Sequence, residues 1–323
     1  MEQPNIYDVV ILGQGVAAFS AGLYAARYRI KPIIVGETFG GETATGGLIE
    51  NYPGIVAIQG LDLMLQMKEQ VEKYDVPVVD GKAFGISKEG DCFVVDTDEG
   101  TYRGTTVVLA VGRERRKLGL PKEEELTGRG VSYCSTCDAP LYRGKVAGVV
   151  GGGDAAIKGA ALISKYADKV YVIYRGEKFV RPEAVNLQKL EESPNAEPIF
   201  QTTVAELKGQ DFLTGVVLDR PHGGSPELEL DGVFVEIGAD PNVDLATQLG
   251  VALTEENEID VDKLMRTNVA GVFAAGDVTN ASGHLKQAIT AAAQGAIAAT
   301  SAYAYVSEHP NACEAHAVGF SLD

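Results

Sequence analysis

One loop pattern occurs twice in this chain, and no other feature restricts its fold as strongly. Gly13-Gln14-Gly15-Val16-Ala17-Ala18 and Gly151-Gly152-Gly153-Asp154-Ala155-Ala156 both read G-x-G-x-x-A, about 138 residues apart. Each follows a compact apolar run of strand type, Asp8 to Leu12 and Val146 to Val150, and each opens a helical stretch. In such a loop the first Gly permits a tight turn and the second lets a pyrophosphate approach the backbone. A small third residue allows close helix packing, and the helix N-terminus is aimed at the phosphates. Gly13, Gly15 and Ala18 are thus candidate dinucleotide ligands, as are Gly151, Gly153, Asp154 and Ala155. A Gly-rich turn without a ligand is the plainer alternative for either loop. The second apolar run, Pro32 to Val35, ends near Glu37, where an acidic side chain can bind an adenosine ribose hydroxyl. Val170 to Tyr174 reads as the strand after the second loop's helix, completing a second βαβ unit.

Between the loops lies Cys134-Ser135-Thr136-Cys137-Asp138. Two thiols two residues apart close a small disulfide ring that opens readily to a thiolate or a reduced cofactor. Asp138 directly behind can shuttle the proton of such an exchange. Half of a zinc site is the competing reading. Zinc takes about four ligands, whereas Cys92 and Cys313 are isolated and only His222, His284, His309 and His316 remain. Four cysteines in 323 residues do not make a disulfide framework, which favours redox chemistry over structural bridging.

Net charge of −17 excludes a nucleic-acid binder and an anionic membrane surface, both of which reward clustered Lys and Arg. No apolar run approaches the ~18 residues of a membrane span. Met1 to Tyr7 is polar without a secretory pattern, so a cytoplasmic protein is expected.

The intervening segments have a readable order. Gly40-Gly41-Glu42 and Glu50-Asn51-Tyr52-Pro53-Gly54 lie in a polar segment beside the first nucleotide loop, of the kind that carries function. Leu61 to Tyr74 reads as an amphipathic helix, and Val76 to Tyr102 as hairpins turning at Lys88 to Asp91 and Asp98 to Gly100. Thr106 to Gly112 is a buried strand bringing Ala110 and Gly112 to a cofactor, and Arg113, Arg115, Arg116 and Lys117 after it read as a solvated linker. Thr202 to Leu230 alternates like a meander. Gly271 to Val278 is a strand delivering Asp277 at its end, with Gly276 before it, and an Ala-rich helix runs from about Lys286 to Val306. A carboxylate there can hold the ribityl hydroxyls of a flavin. The helix N-terminus, around Lys286, Gln287 and Ala288, then faces the electron-rich edge of its ring. A cap on a structural helix is the alternative. The tail after Val306, with Cys313 and His316, reads as a loosely ordered extension; a lid over the flavin or a subunit contact is the sharper option.

Together these motifs resemble the low-molecular-weight thioredoxin reductases, flavoproteins of the pyridine nucleotide-disulfide oxidoreductase superfamily, over about residues 7 to 306. The resemblance implies an α/β fold of two Rossmann-like three-layer (ββα) dinucleotide-binding domains, the second inserted into the first. Residues 1–115 and 245–323 would bind FAD, and residues 116–244 would form the pyridine-nucleotide-type domain that carries the C-x-x-C. It further implies that Cys137 faces the flavin, Cys134 attacks the disulfide of thioredoxin, Asp138 is the acid/base and Arg129 helps dock the thioredoxin. The two domains would rotate against one another, and the enzyme would be a homodimer.

The departures from that family fall mainly on the electron-donor side. Members that use NADPH carry H-R-R-x-x-x-R after the second fingerprint, whose arginines grip the 2'-phosphate. Here the positions read Tyr174-Arg175-Gly176 and Val180, with an Arg displaced to Arg181. Lys158-Gly159 stands where two acidic residues are usual. NADPH therefore competes as donor with NADH, reduced ferredoxin or a deazaflavin. Ala110-Val111-Gly112 replaces Ala-Thr-Gly, and Glu42 replaces a Gln, setting a negative charge near the ring that would lower its potential. A small-molecule dithiol oxidase of the same family and a non-catalytic flavin-disulfide redox sensor are the competing functions.

Overall fold

A computed structural model describes residues 6–310, 312 and 313. The chain forms two compact units, residues 1–113 with 241–323 and residues 114–240, so the second is inserted into the first.

In the first unit, strands run in the order Val78–Asp80, Pro32–Gly36, Ile6–Leu12, Gly100–Leu109, Cys92–Thr97 and Ala83–Glu89, and Val272–Ala274 also pairs with Gly100–Leu109. The first four and Val272–Ala274 pair in parallel; the two hairpin strands are antiparallel. Ile6–Leu12 is apolar on both faces because both are covered. Val9 and Ile11 pack against the helices Val16–Arg27 and Ala288–Glu308, while Val10 and Leu12 pack against Ile86, Phe93, Leu245 and Ile259. Burying an aliphatic side chain of this size stabilises by roughly 1.5–3 kcal/mol. The two helices meet closely because Gly295 has no side chain to strike the Ala17 carbonyl.

The second unit holds five parallel strands in the order Val131–Ser132, Gly232–Val235, Val146–Val150, Lys169–Tyr174 and Ala196–Phe200. Helix Asp154–Ile163 covers one face through Ile157, Ala160 and Ile163. An antiparallel meander, Val204–Gly209, Leu213–His222 and Ser225–Glu229, covers the other through Leu207, Leu213 and Val216. Among the described residues no helix is long and apolar enough to cross a membrane.

The expectation of isolated cysteines fails. Cys92 and Cys313 are not isolated: they form a disulfide across a sequence separation of 221. Of the extension, Cys313 is 1% exposed; residues 311 and 314–323, His316 among them, lie outside the described residues. The last helix begins at Ala288 and ends at Glu308, with a capping box between Gln287 and Thr290 setting its start. Gln287 is therefore the cap, and Lys286 precedes the helix.

Candidate active site

In the first unit the fingerprint turn is built around Gly13, at φ +118°, where a Cβ would collide with the Ala110 carbonyl. Ala110 in turn donates its N–H to Leu12, so strand ends and loop are locked together. Gln14 completes this lock, donating from Nε2 to the carbonyl of Gly36 (2.9 Å) and to Asp80 (2.8 Å). Gly15 caps helix Val16–Arg27 with no side-chain hydrogen bond, and a Cβ there would meet nothing within 4 Å. The helix thus starts with free N–H groups over open space, as an anion requires. Ala18 is fully buried beneath it. Gly41 approaches Gly15 closely, since a Cβ on it would stand 3.8 Å from the Gly15 Cα. Glu37 is exposed and pairs with Lys82 at 3.3 Å.

The opposite wall of this region comes from the end of strand Val272–Ala274. Gly276, at φ +86°, packs against Ala17 and donates its N–H to the buried Gln294 at 2.7 Å. Asp277 is half-buried, and its carboxylate has no hydrogen-bond partner among the described residues. Burial pushes its pKa up; Lys286 and Arg113 pull it down, and Glu42 and Glu258 push it up again. Glu258 holds Arg113 and Lys286 at 2.9 Å each, and the Lys286 ammonium also donates to the Thr279 carbonyl. Asn51 donates to Gln287 at 3.1 Å, which places the Asn51 segment at the start of the last helix. Gly112, at φ +64°, has open space where a side chain would be.

In the second unit Cys134 and Cys137 are joined as a disulfide, which removes the pair from the zinc reading. Cys134 caps the short helix Ser135–Asp138, and the Cys137 N–H donates to its sulfur at 3.1 Å. Cys137 is exposed and Cys134 half-buried. Asp138 lies near Tyr142, whose hydroxyl is pushed up to about 12 by burial and by the charges of Asp138 and Asp231.

Several residues that hold this helix carry no local sequence signal. Ser135 donates to Glu236 at 2.7 Å, and Glu236 pairs with Arg115 at 3.3 Å. Gly159 makes the room: a Cβ there would stand 2.6 Å from the Ser135 hydroxyl. Arg115 also donates to the carbonyl of Tyr133. The Tyr133 hydroxyl donates at 2.5 Å to Glu123, and burial followed by that carboxylate raises its pKa. Glu123 is itself buried and accepts the N–H groups of Leu118, Gly119 and Leu120. The solvated-linker reading of the basic cluster therefore holds for Arg116 and Lys117, both about half exposed, and fails for Arg113 and Arg115, 20% and 24% exposed. Arg113 and Arg115 serve interior carboxylates instead.

The second fingerprint repeats the first. Gly151, at φ +147°, sits where a Cβ would collide with the Glu236 carbonyl, and Gly153 caps helix Asp154–Ile163 with open space before it. Asp154 accepts the Glu183 N–H at 2.8 Å, and Ala155 is exposed beside it. The Tyr174 ring, however, lies against Gly152, and the Val180 N–H donates to the Gly152 carbonyl at 2.8 Å. Arg175, Arg181 and Arg129 are exposed, and none has a side-chain ion pair among the described residues.

The sequence profile of the family described as "Pyridine nucleotide-disulphide oxidoreductase" matches residues 7–295. A thioredoxin reductase of Bacillus subtilis (strain 168) is 34% identical over 319 residues, 95% of this chain and 97% of the relative. Among solved structures, the thioredoxin reductase of Lactococcus lactis in its FR conformation superposes with a TM-score of 0.87 at 34% identity, covering 94% of this chain and 99% of that one. A ferredoxin-flavin thioredoxin reductase of Clostridium acetobutylicum is 30% identical, with a TM-score of 0.52 over 95% of this chain and 100% of that one.

Proposed function

Because the chain belongs to the pyridine nucleotide-disulphide oxidoreductase family, we propose that it is a flavin-dependent reductase passing electrons through Cys134 and Cys137 to the disulfide of thioredoxin or a thioredoxin-like protein. The observation that carries this reading is the Cys134–Cys137 disulfide with Asp138 directly behind it, in a chain 34% identical to a thioredoxin reductase.

The first unit's residues fit FAD. Open space before an uncapped helix suits the pyrophosphate at Gly13, Gly15 and Gly41, and the unpartnered Asp277 carboxylate suits ribityl hydroxyls. Asn51, Lys286, Gln287 and Ala288 would line the ring side, with Glu37 toward the ribose. When bound and reduced by the donor, FAD would relay two electrons to the disulfide.

The rest is the chain's own chemistry. The Cys137 N–H bonded to the Cys134 sulfur favours the thiolate at Cys134, marking it as the attacking group. Asp138 takes the proton that the Cys134 thiol loses; attack of the resulting thiolate on a partner disulfide forms a mixed disulfide and releases one partner thiolate, which takes that proton back from Asp138. Cys137 then attacks the Cys134 sulfur, closing the internal disulfide and releasing the second partner thiol. The exposed Arg129 guanidinium is free to meet an acidic partner surface.

For the donor, Arg175 and Arg181 support a nucleotide with a 2'-phosphate, NADPH, at Gly151 and Gly153. A second reading, a protein donor such as reduced ferredoxin, has its own support in the Tyr174 ring and Val180 lying on Gly152. The purified FAD-loaded protein is mixed anaerobically with NADPH, NADH and reduced ferredoxin in turn, with thioredoxin as acceptor. Bleaching on the turnover timescale by one of them, followed by thiol formation on thioredoxin, is the expected result. Bleaching without thioredoxin reduction would overturn the reductase reading.

A further inference from the structure

Cys92 opens the strand Cys92–Thr97 and is fully buried; Cys313 follows the last helix by a few residues and is 1% exposed. Their Cα atoms are 4.6 Å apart, within the range a disulfide spans. The surroundings converge on the same point without the sulfur bond. A Cβ at Gly271 would stand 2.9 Å from the Phe93 ring and 3.3 Å from the Tyr305 ring, so a ring from the start of this strand and a ring from the end of the last helix lie against the same glycine. Burial and then the charge of Asp91 raise the pKa of Tyr305. The Tyr305 ring stacks on His309 at 4.0 Å, and His309 Nδ1 lies 2.8 Å from the Tyr305 carbonyl. Helix end and hairpin turn are thus already docked where the two sulfurs meet.

We infer that Cys92 and Cys313 are a second disulfide site, a buried staple fixing the residues after the last helix to the Glu89–Cys92 turn and standing outside the electron circuit of Cys134 and Cys137. Thiol–disulfide exchange needs a thiolate to reach a sulfur atom, and neither residue exposes more than 1% of its surface. The bond forms before that burial is complete: the two thiols give two protons and two electrons to a small-molecule disulfide, which leaves as two thiols. Once closed, the bond joins residues 221 apart and restricts the unfolded chain accordingly. This rests on the first unit alone and does not depend on the donor or the acceptor of the catalytic pair.

The test uses the full chain oxidised with glutathione disulfide, denatured, alkylated and digested without reductant. A peptide linking Cys92 to Cys313 is expected, and two alkylated thiols at these positions would overturn the assignment. Cys92→Ser and Cys313→Ser should each lower the melting temperature by about 5–10 °C, and wild type fully reduced in denaturant and refolded in reductant should melt at the same value. Thioredoxin reduction at 25 °C should be unchanged in both variants. A wild type that melts at its oxidised value after reduction in denaturant and refolding in reductant would overturn the staple, as would linkage of Cys92 or Cys313 to Cys134 or Cys137.

Discussion

Asp277 carries a conflict that only a ligand resolves. Its carboxylate is half-buried with no hydrogen bond among the described residues, and burial lifts its pKa above the ordinary 3.8. A raised folded pKa means that the folded state binds the proton more tightly than the unfolded one. The protein without FAD is therefore favoured below 3.8 and loses that stability as pH rises through the folded pKa. Asp277→Asn should raise the melting temperature of the FAD-free protein at pH 7, leave it unchanged near pH 3, and weaken FAD retention. Thermal denaturation at both pH values, with flavin absorbance after gel filtration, checks this; a lower melting temperature at pH 7 would contradict it. Glu236 presents the opposite case, a carboxylate 10% exposed and satisfied by Ser135 and Arg115. Glu236→Ala removes the carboxylate that Ser135 and Arg115 share and should cost about 2 kcal/mol, less than the loss of a fully buried pair because Arg115 retains some solvent. Glu236→Gln keeps an acceptor for Ser135 and should recover part of the loss in melting temperature and in thioredoxin reduction. The position of Asp277 was legible from the G-V-F-A-A-G-D pattern, although the strand stops at Ala274 and Asp277 follows it. Glu236 and Arg115 were not, because the contact to Ser135 spans 101 residues and the one between them 121.

The two nucleotide loops were legible as elements because every part of the signal is local. An apolar run covered on both faces, a Gly at positive φ and a helix with small residues at its start all fall within about a dozen positions. A Cβ would meet different surroundings at the two glycines, which separates folding from the proposed binding. Gly13→Ala places a Cβ into the Ala110 carbonyl at φ +118°, so it should cost about 3 kcal/mol or more and lose FAD together with the fold. Gly15→Ala places a Cβ where nothing lies within 4 Å, so the FAD-free protein should melt within a few degrees of wild type while FAD affinity falls at least tenfold. Equal loss of melting temperature in the two variants would refute the distinction. The last helix was less legible at its ends. Its start was expected near Lys286, but Gln287 and Thr290 exchange backbone and side-chain bonds in a box with an unusual choice of residues, which moves the start to Ala288.

Across the whole molecule, the parts hardest to read were those joining distant segments. The Cys92–Cys313 bond pairs a hairpin strand with a residue beyond the last helix, and no spacing rule connects two such positions. Four cysteines in a long acidic chain point away from a disulfide framework, yet they form two disulfides of opposite character. Cys134 and Cys137 are half-buried and exposed, whereas Cys92 and Cys313 are enclosed. With FAD bound, the chain would hold three two-electron centres, of which reductant is expected to reach two. Anaerobic dithionite titration of the folded, FAD-loaded protein should end at about four electrons per chain, two for the flavin and two for Cys134–Cys137. Thiol counting should find two thiols after that titration and four after full reduction in denaturant. Cys134→Ser with Cys137→Ser should reduce the folded endpoint to about two electrons, and Cys92→Ser should leave it at four. An endpoint of two in the wild type would remove Cys134–Cys137 from the circuit, and an endpoint of six would place the enclosed bond within it.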